Sequence, residues 1–193
     1  LCEGTRVSHE SEHNYSEQHV EEKVFDIIQK SQGLVLAYFS TVNVDRFMTF
    51  YNAAVKNDRV IVIDTRMAYT VENLKDKIQV LPDVLNDKHI RIYFRLCKSC
   101  TFHENDYLPW ERRYMDKMIK YKEIAEKPKK YVMHLGFYRL MELVYLRPEN
   151  ADFIYSSSEH FYEGEDNEEQ RRVWENWMKH FNIKFHKAHC SGH

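Results

Sequence analysis

The sequence predicts an α/β fold: a mostly parallel sheet with helices on both faces and one helical insertion. Three observations carry that expectation. Short apolar runs rich in β-branched and aromatic residues recur along the chain, stretches of helical period separate them, and the connections are short. Most of the runs are apolar at every position rather than at alternate ones, which suits strands buried on both faces. Short alternation of strand and helix then favours crossover connections and parallel pairing.

The elements follow in order. Val20, Val24, Ile27 and Ile28 mark a first helix, with Asn14 and Glu17 spaced as a capping box. "GLVLAYF" (Gly33 to Phe39) reads as a strand, and Val44, Phe47, Met48, Tyr51 and Val55 as the buried stripe of a second helix. "RVIVID" (Arg59 to Asp64) and "IRIYF" (Ile90 to Phe94) are further strands. The interval from Leu96 to Lys130 breaks this rhythm. It carries "YLPWERRYMDKMIKYKEIAEKPKK", which reads as an aromatic and basic helix elaborating the sheet. "YVMH" (Tyr131 to His134) and "ADFIYS" (Ala151 to Ser156) resume the strands. Val173, Trp177 and Phe181 mark a last helix, with Asp166 and Glu169 spaced as a capping box, before "IKFHKAH" (Ile183 to His189). The apolar stripes are core positions first, and the chain has no internal repeat.

Composition bounds the function classes. At 193 residues, 43% hydrophobic and 30% charged, the chain suits one self-sufficient globular domain rather than a disordered segment. No apolar run approaches the ~20 residues that span a bilayer, so no membrane partner is expected. A formal charge of −2 provides no global field for gathering polyanions, so nucleic-acid binding has to come from local patches. Four scattered cysteines suit reduced thiols and a cytoplasmic location. A first residue of Leu1, without a signal peptide, reads as a processed or excised piece.

In a parallel sheet the ligand crevice lies beyond the carboxyl ends of the strands. Those ends are polar here: Ser40 and Thr41, Asp64 and Thr65, Ser156, Ser157 and Ser158 with Glu159, and His189 to His193. Other signals are weaker. His180, His186, His189 and His193 invite a zinc reading, but strand alternation points His186 and His189 to opposite faces. Cys97 and Cys100 with His103 lack a fourth ligand at useful spacing, and read as reduced loop cysteines before a CxxC redox pair. In the insertion, Arg112, Arg113, Lys117, Lys120 and Lys122 alternate with Trp110, Tyr114 and Tyr121, which suits single-stranded RNA. Glu111, Asp116, Glu123 and Glu126 dilute that field toward an ordinary solvated helix.

Four stretches, in order, carry a resemblance: "LCEGTRV" at the start, "GLVLAYFSTVNVDRFMTFYNAAVKNDRVIVIDTRMAY", "ADFIYSSSEHF" and the closing "HCSGH". Together they resemble the β-CASP region of metallo-β-lactamase-fold nucleases, in particular archaeal hydrolases related to RNase J and to the endonuclease of mRNA 3′-end cleavage. The resemblance spans nearly the whole chain except residues 96–130. It implies a Rossmann-like β-CASP domain over 8–193, with 1–7 as the end of a metallo-β-lactamase strand. It also implies that Glu3 is the acidic motif residue before the domain and His193 the histidine motif residue after it. His193 would protonate a leaving oxygen, with Glu3 orienting it. Ser156, Ser157, Ser158, Ser191 and Gly192 would offer donors to phosphate oxygens. RNA is the implied partner and two zinc ions the implied cofactor of the intact parent.

This chain departs from the family in lacking HxHxDH anywhere in its 193 residues. The expectation is therefore a chain that holds no catalytic zinc and cleaves nothing alone. Oligomeric state stays open, a homodimer included. The alternative is a stand-alone doubly wound module for a nucleotide or other small ligand, although five glycines and no GxGxxG offer it no phosphate loop.

Overall fold

The computed structural model describes residues 17–96, 101–157 and 167–189. Its strands are β1 (Val35–Tyr38), β2 (Val60–Ile63), β3 (Ile90–Tyr93), β4 (Met118–Ile119), β5 (Tyr131–His134), β6 (Asp152–Tyr155) and β7 (Lys184–Lys187). The helices are α1 (Glu17–Lys30), α2 (Val44–Lys56), α3 (Thr65–Leu74), α4 (Tyr121–Glu126), α5 (Leu143–Leu146) and α6 (Glu168–His180). The strands form one parallel sheet in the order β4-β3-β2-β5-β1-β6-β7.

Alternation along each strand divides the core into two layers. Val35, Ala37, Ile61, Ile63, Ile90, Ile92, Val132 and Ile154 face the first layer, where Val24 and Ile28 of α1, Phe47 and Phe50 of α2, and Met67 and Val71 of α3 cover them. Leu34, Leu36, Val60, Val62, Met133, Phe153 and Tyr155 face the second, beneath Ile124 of α4, Leu143 and Leu146 of α5, and Trp174 and Met178 of α6. Helices thus lie on both faces, as the unbroken apolar runs require. The loop entering β1 is pinned from below: buried Arg59 donates to the carbonyl oxygens of Gly33 at 2.9 Å and Ser31 at 2.7 Å.

The insertion is not one long helix. It breaks into 3-10 turns at Glu104–Asp106 and Arg112–Lys117, the two-residue strand β4, and the short α4. Tertiary bonding overrides the helical spacing. Ile119 adds to the sheet edge, accepting a hydrogen bond from the Phe94 amide at 2.7 Å, while Glu111 and Tyr114 turn inward and are buried. Helices α3 and α5 are further elements the spacing did not single out.

The described residues place Ser156 and Ser157 at the end of β6. Glu3, Ser158, Ser191, Gly192 and His193 lie outside them, as do Asn14, Asp166, Cys97 and Cys100. Among the described residues no helix is long and apolar enough to cross a membrane.

Candidate functional site: the strand-end cleft

The outgoing connections of the neighbouring strands β1 and β5 leave the sheet on opposite faces. From β1 the chain passes through α2 on the first face and crosses β5 to reach β2. From β5 it passes through α5 on the second face and crosses β1 to reach β6. Such a reversal opens a crevice beyond the carboxyl ends of the strands. A cleft of about 880 Å³ occupies that position. It collects Ser40 and Thr41 after β1, Asp64, Thr65 and Arg66 after β2, Arg95 after β3, Tyr138 and Arg139 after β5, and Ser157 after β6.

Local chemistry fixes this rim. Asp64 caps α3, its side chain accepting from the Met67 amide at 2.8 Å, and so Thr65 and Arg66 sit in the first helical turn at the cleft. Asn43 caps α2 in the same way through the Arg46 amide. Among the described residues Arg66 and Arg139 form no side-chain hydrogen bond or ion pair. Arg95 lies 3.6 Å from the Glu111 carboxylate and stacks over the Tyr107 ring at 5.0 Å. Tyr138 is 93% exposed, an unusual position for a large aromatic side chain, and stands edge-on to Phe137 at 5.4 Å.

His134 forms the floor. Its Nε2–H donates to the Phe39 carbonyl oxygen at 2.9 Å, and its ring meets Phe39 edge-on at 4.9 Å. Burial holds its pKa below the usual histidine value, with Asp64 pulling in the opposite direction. The neutral imidazole therefore serves as a fixed donor.

The serines separate in role. The Ser156 hydroxyl donates to the Ala188 carbonyl oxygen and its amide to the Tyr38 carbonyl oxygen at 2.8 Å, so it ties β6 to its neighbours below the cleft. Ser157 is partly exposed and lines the cleft itself. Elsewhere, His103 caps a 3-10 turn by accepting from the Asn105 amide at 3.1 Å, and His186 pairs with Asp152 at 2.8 Å. Among the described residues no three His, Cys, Asp or Glu side chains converge as metal ligands.

One wall of the cleft comes from the insertion, which runs along α3. Thr65 donates to Glu111 at 2.5 Å, Trp110 meets Tyr69 edge-on at 5.2 Å, and Glu72 accepts from both Arg113 and Tyr114 at 2.6 Å. Thr65, Tyr69 and Glu72 fall on one helical face, four and then three residues apart. Sequence reasoning placed the polar rim but missed Arg66, Arg95, Tyr138 and Arg139. Their signal was available, because each follows within five residues of a strand assigned from its apolar run.

Fold and cleft define a doubly wound α/β protein with a cationic, aromatic-rimmed crevice at its topological switch point. No family model matches the chain, and no curated protein matches it.

Proposed function

We propose that this chain is the β-CASP part of a zinc-dependent RNA-processing nuclease, and that its strand-end cleft forms one side of the nucleic-acid path. The observation that carries the reading is the grouping of Arg66, Arg95 and Arg139 with the exposed Tyr138 at one crevice. Guanidinium groups neutralise phosphates, and an exposed ring gives an unpaired base a surface to stack on. The order of the four resembling stretches, with Glu3 and His193 at its two ends, supports the same reading.

In this reading His193 gives a proton to the leaving oxygen of a phosphodiester, and Glu3 holds the imidazole and favours its charged form. Ser157 offers a hydroxyl to a phosphate oxygen at the rim. The zinc ions, which activate the attacking water in such nucleases, belong to the part of the parent that carries HxHxDH. No step by this chain's own residues runs through them.

The test is a hydrolysis assay on the intact parent with a single-stranded RNA. His193→Ala lowers turnover and flattens its alkaline limb if His193 is the acid. Unchanged turnover across the pH range removes His193 from the mechanism. Stoichiometric zinc together with RNA cleavage by the 193-residue chain alone overturns the division of labour.

The crevice at the β1/β5 switch also favours a second reading, a module for a free nucleotide. Calorimetric titration of the chain with a nucleoside monophosphate and with an oligoribonucleotide separates the two. Preference for the mononucleotide supports the module.

A further inference from the structure

The insertion lies outside the resembling stretches, yet it sends a buried carboxylate to the cleft. Glu111 is 3% exposed, and its two oxygens are differently committed. Oε1 accepts from the Thr65 hydroxyl and lies 3.6 Å from the Arg95 guanidinium, while Oε2 accepts from the Leu108 amide at 2.9 Å. Arg95 also lies over the Tyr107 ring at 5.0 Å, and the Tyr107 hydroxyl accepts from the Arg95 amide at 2.8 Å. The Arg95 side chain keeps 30% of its surface exposed, and it lines the cleft. Guanidinium, carboxylate and ring thus fix one conformer of a long side chain that otherwise loses considerable rotamer entropy on binding.

We infer that Glu111 is the positioning residue for Arg95, so that the insertion presents the cleft's third cation to the phosphodiester backbone of a single strand. The inference rests on the reading of the cleft as a nucleic-acid path. It has a sign that simple electrostatics lacks. Removing a negative charge from the wall of an anion-binding cleft raises affinity if the charge acts only through its field. Removing the group that holds Arg95 in place lowers it.

The experiment measures binding of a short fluorescein-labelled oligouridylate to the 193-residue chain by anisotropy over a KCl series. Wild type, Glu111→Gln, Arg95→Ala, the double variant, Arg66→Ala and Arg139→Ala are compared, with the thermal transition of each recorded to establish that it is folded. Each arginine variant flattens the plot of log affinity against log salt by about 0.7, one phosphate contact on a single strand. Glu111→Gln weakens binding at least about threefold in the presence of Arg95 and has no effect once Arg95 is alanine, the coupling expected of two groups acting as a unit.

Glu111→Gln binding as tightly as wild type or more tightly overturns the inference, as does an equal loss with and without Arg95. If those results accompany flattened salt plots for Arg66→Ala and Arg139→Ala, the cleft reading stands and the positioning role alone fails. Salt plots unaltered by every arginine variant remove the cleft reading, and the positioning role with it.

Discussion

Tyr114 and Glu72 meet across 42 residues of sequence, the buried phenol donating to the carboxylate at 2.6 Å. The contact fastens the insertion to the outer face of α3, and Arg113 reinforces it by donating to the other carboxylate oxygen at 2.6 Å. Tyr114→Phe removes the donor and keeps the ring. Because Glu72 is partly exposed and water can replace the lost donor, the expected cost is about 1 kcal/mol. In a chain of this size that lowers the melting temperature by about 2–4 °C, readable by circular dichroism. Tyr114→Ala also opens a cavity and costs about 3–5 kcal/mol. Equal losses for the two variants would show that the hydroxyl, not the packing, holds the insertion.

Gly33 presents a backbone limit rather than a conformational one. A Cβ built there falls 2.4 Å from the Glu149 carbonyl oxygen and 2.5 Å from that of Asn150. Both obstacles are backbone, and the Arg59 guanidinium pins the Gly33 carbonyl, so the loop cannot retreat without giving up a buried hydrogen bond. Gly33→Ala is expected to cost at least about 2 kcal/mol, a value at the upper side of overpacking effects. It lowers the urea midpoint with little change in slope. Gly136 is the comparison: nothing lies within 4 Å of a Cβ there, and Gly136→Ala shifts stability by no more than about 0.5 kcal/mol.

The strands most legible in the sequence are those buried on both faces of the sheet. β1, β2, β5 and β6 are buried along almost their whole length, so their composition alone marks them. The polar rim was legible for a related reason, because a parallel sheet turns every strand's carboxyl end the same way. Helix α3 was hidden by its own cap, since Asp64 and Thr65 read as rim residues before they read as a helix start. The insertion misled because its aromatic and charged residues recur at helical intervals. What decides its shape is a set of partners far away in sequence, Thr65, Tyr69 and Glu72 on α3 and Phe94 after β3. The cleft arginines look like ordinary surface residues until the topology gathers them from three separate strand ends.

His134 gives the fold a defined response to acid. Its folded pKa lies below the ordinary value because burial disfavours the imidazolium. The unfolded chain therefore binds this proton first. The stability that His134 contributes is complete above its unfolded pKa of about 6.5 and is lost as pH falls from there toward the folded value. The chain has 11 histidines, so the contribution is isolated by difference. Urea unfolding of wild type and His134→Asn is measured at several pH values from neutrality downward. The advantage of wild type over the variant is expected to shrink as the solution becomes more acidic, and an advantage that grows on acidification contradicts the assignment.

Glu142 responds in the opposite sense. Its side chain is buried beside the second core layer, and Oε2 accepts from the Tyr93 hydroxyl at 2.7 Å. Burial raises its pKa, while the Tyr93 hydrogen bond and the Arg139 and Arg95 charges pull the other way without cancelling it. With the folded pKa above the unfolded value of about 4.3, the favourable contribution belongs to the protonated form. It is complete below the unfolded value and is lost as pH rises through the folded one. Glu142→Gln keeps an acceptor for Tyr93 and removes the charge, so its stability relative to wild type should rise between acid and neutral pH. At neutrality the Gln variant is expected to be at least as stable as wild type. Glu142→Ala behaves differently, because it leaves the buried Tyr93 hydroxyl without its acceptor, a loss of about 1–3 kcal/mol at any pH. Urea midpoints for the three proteins at acid and neutral pH check both signs. A Gln variant that loses ground to wild type as pH rises would mean that the arginines outweigh burial and that the carboxylate is stabilised as an ion.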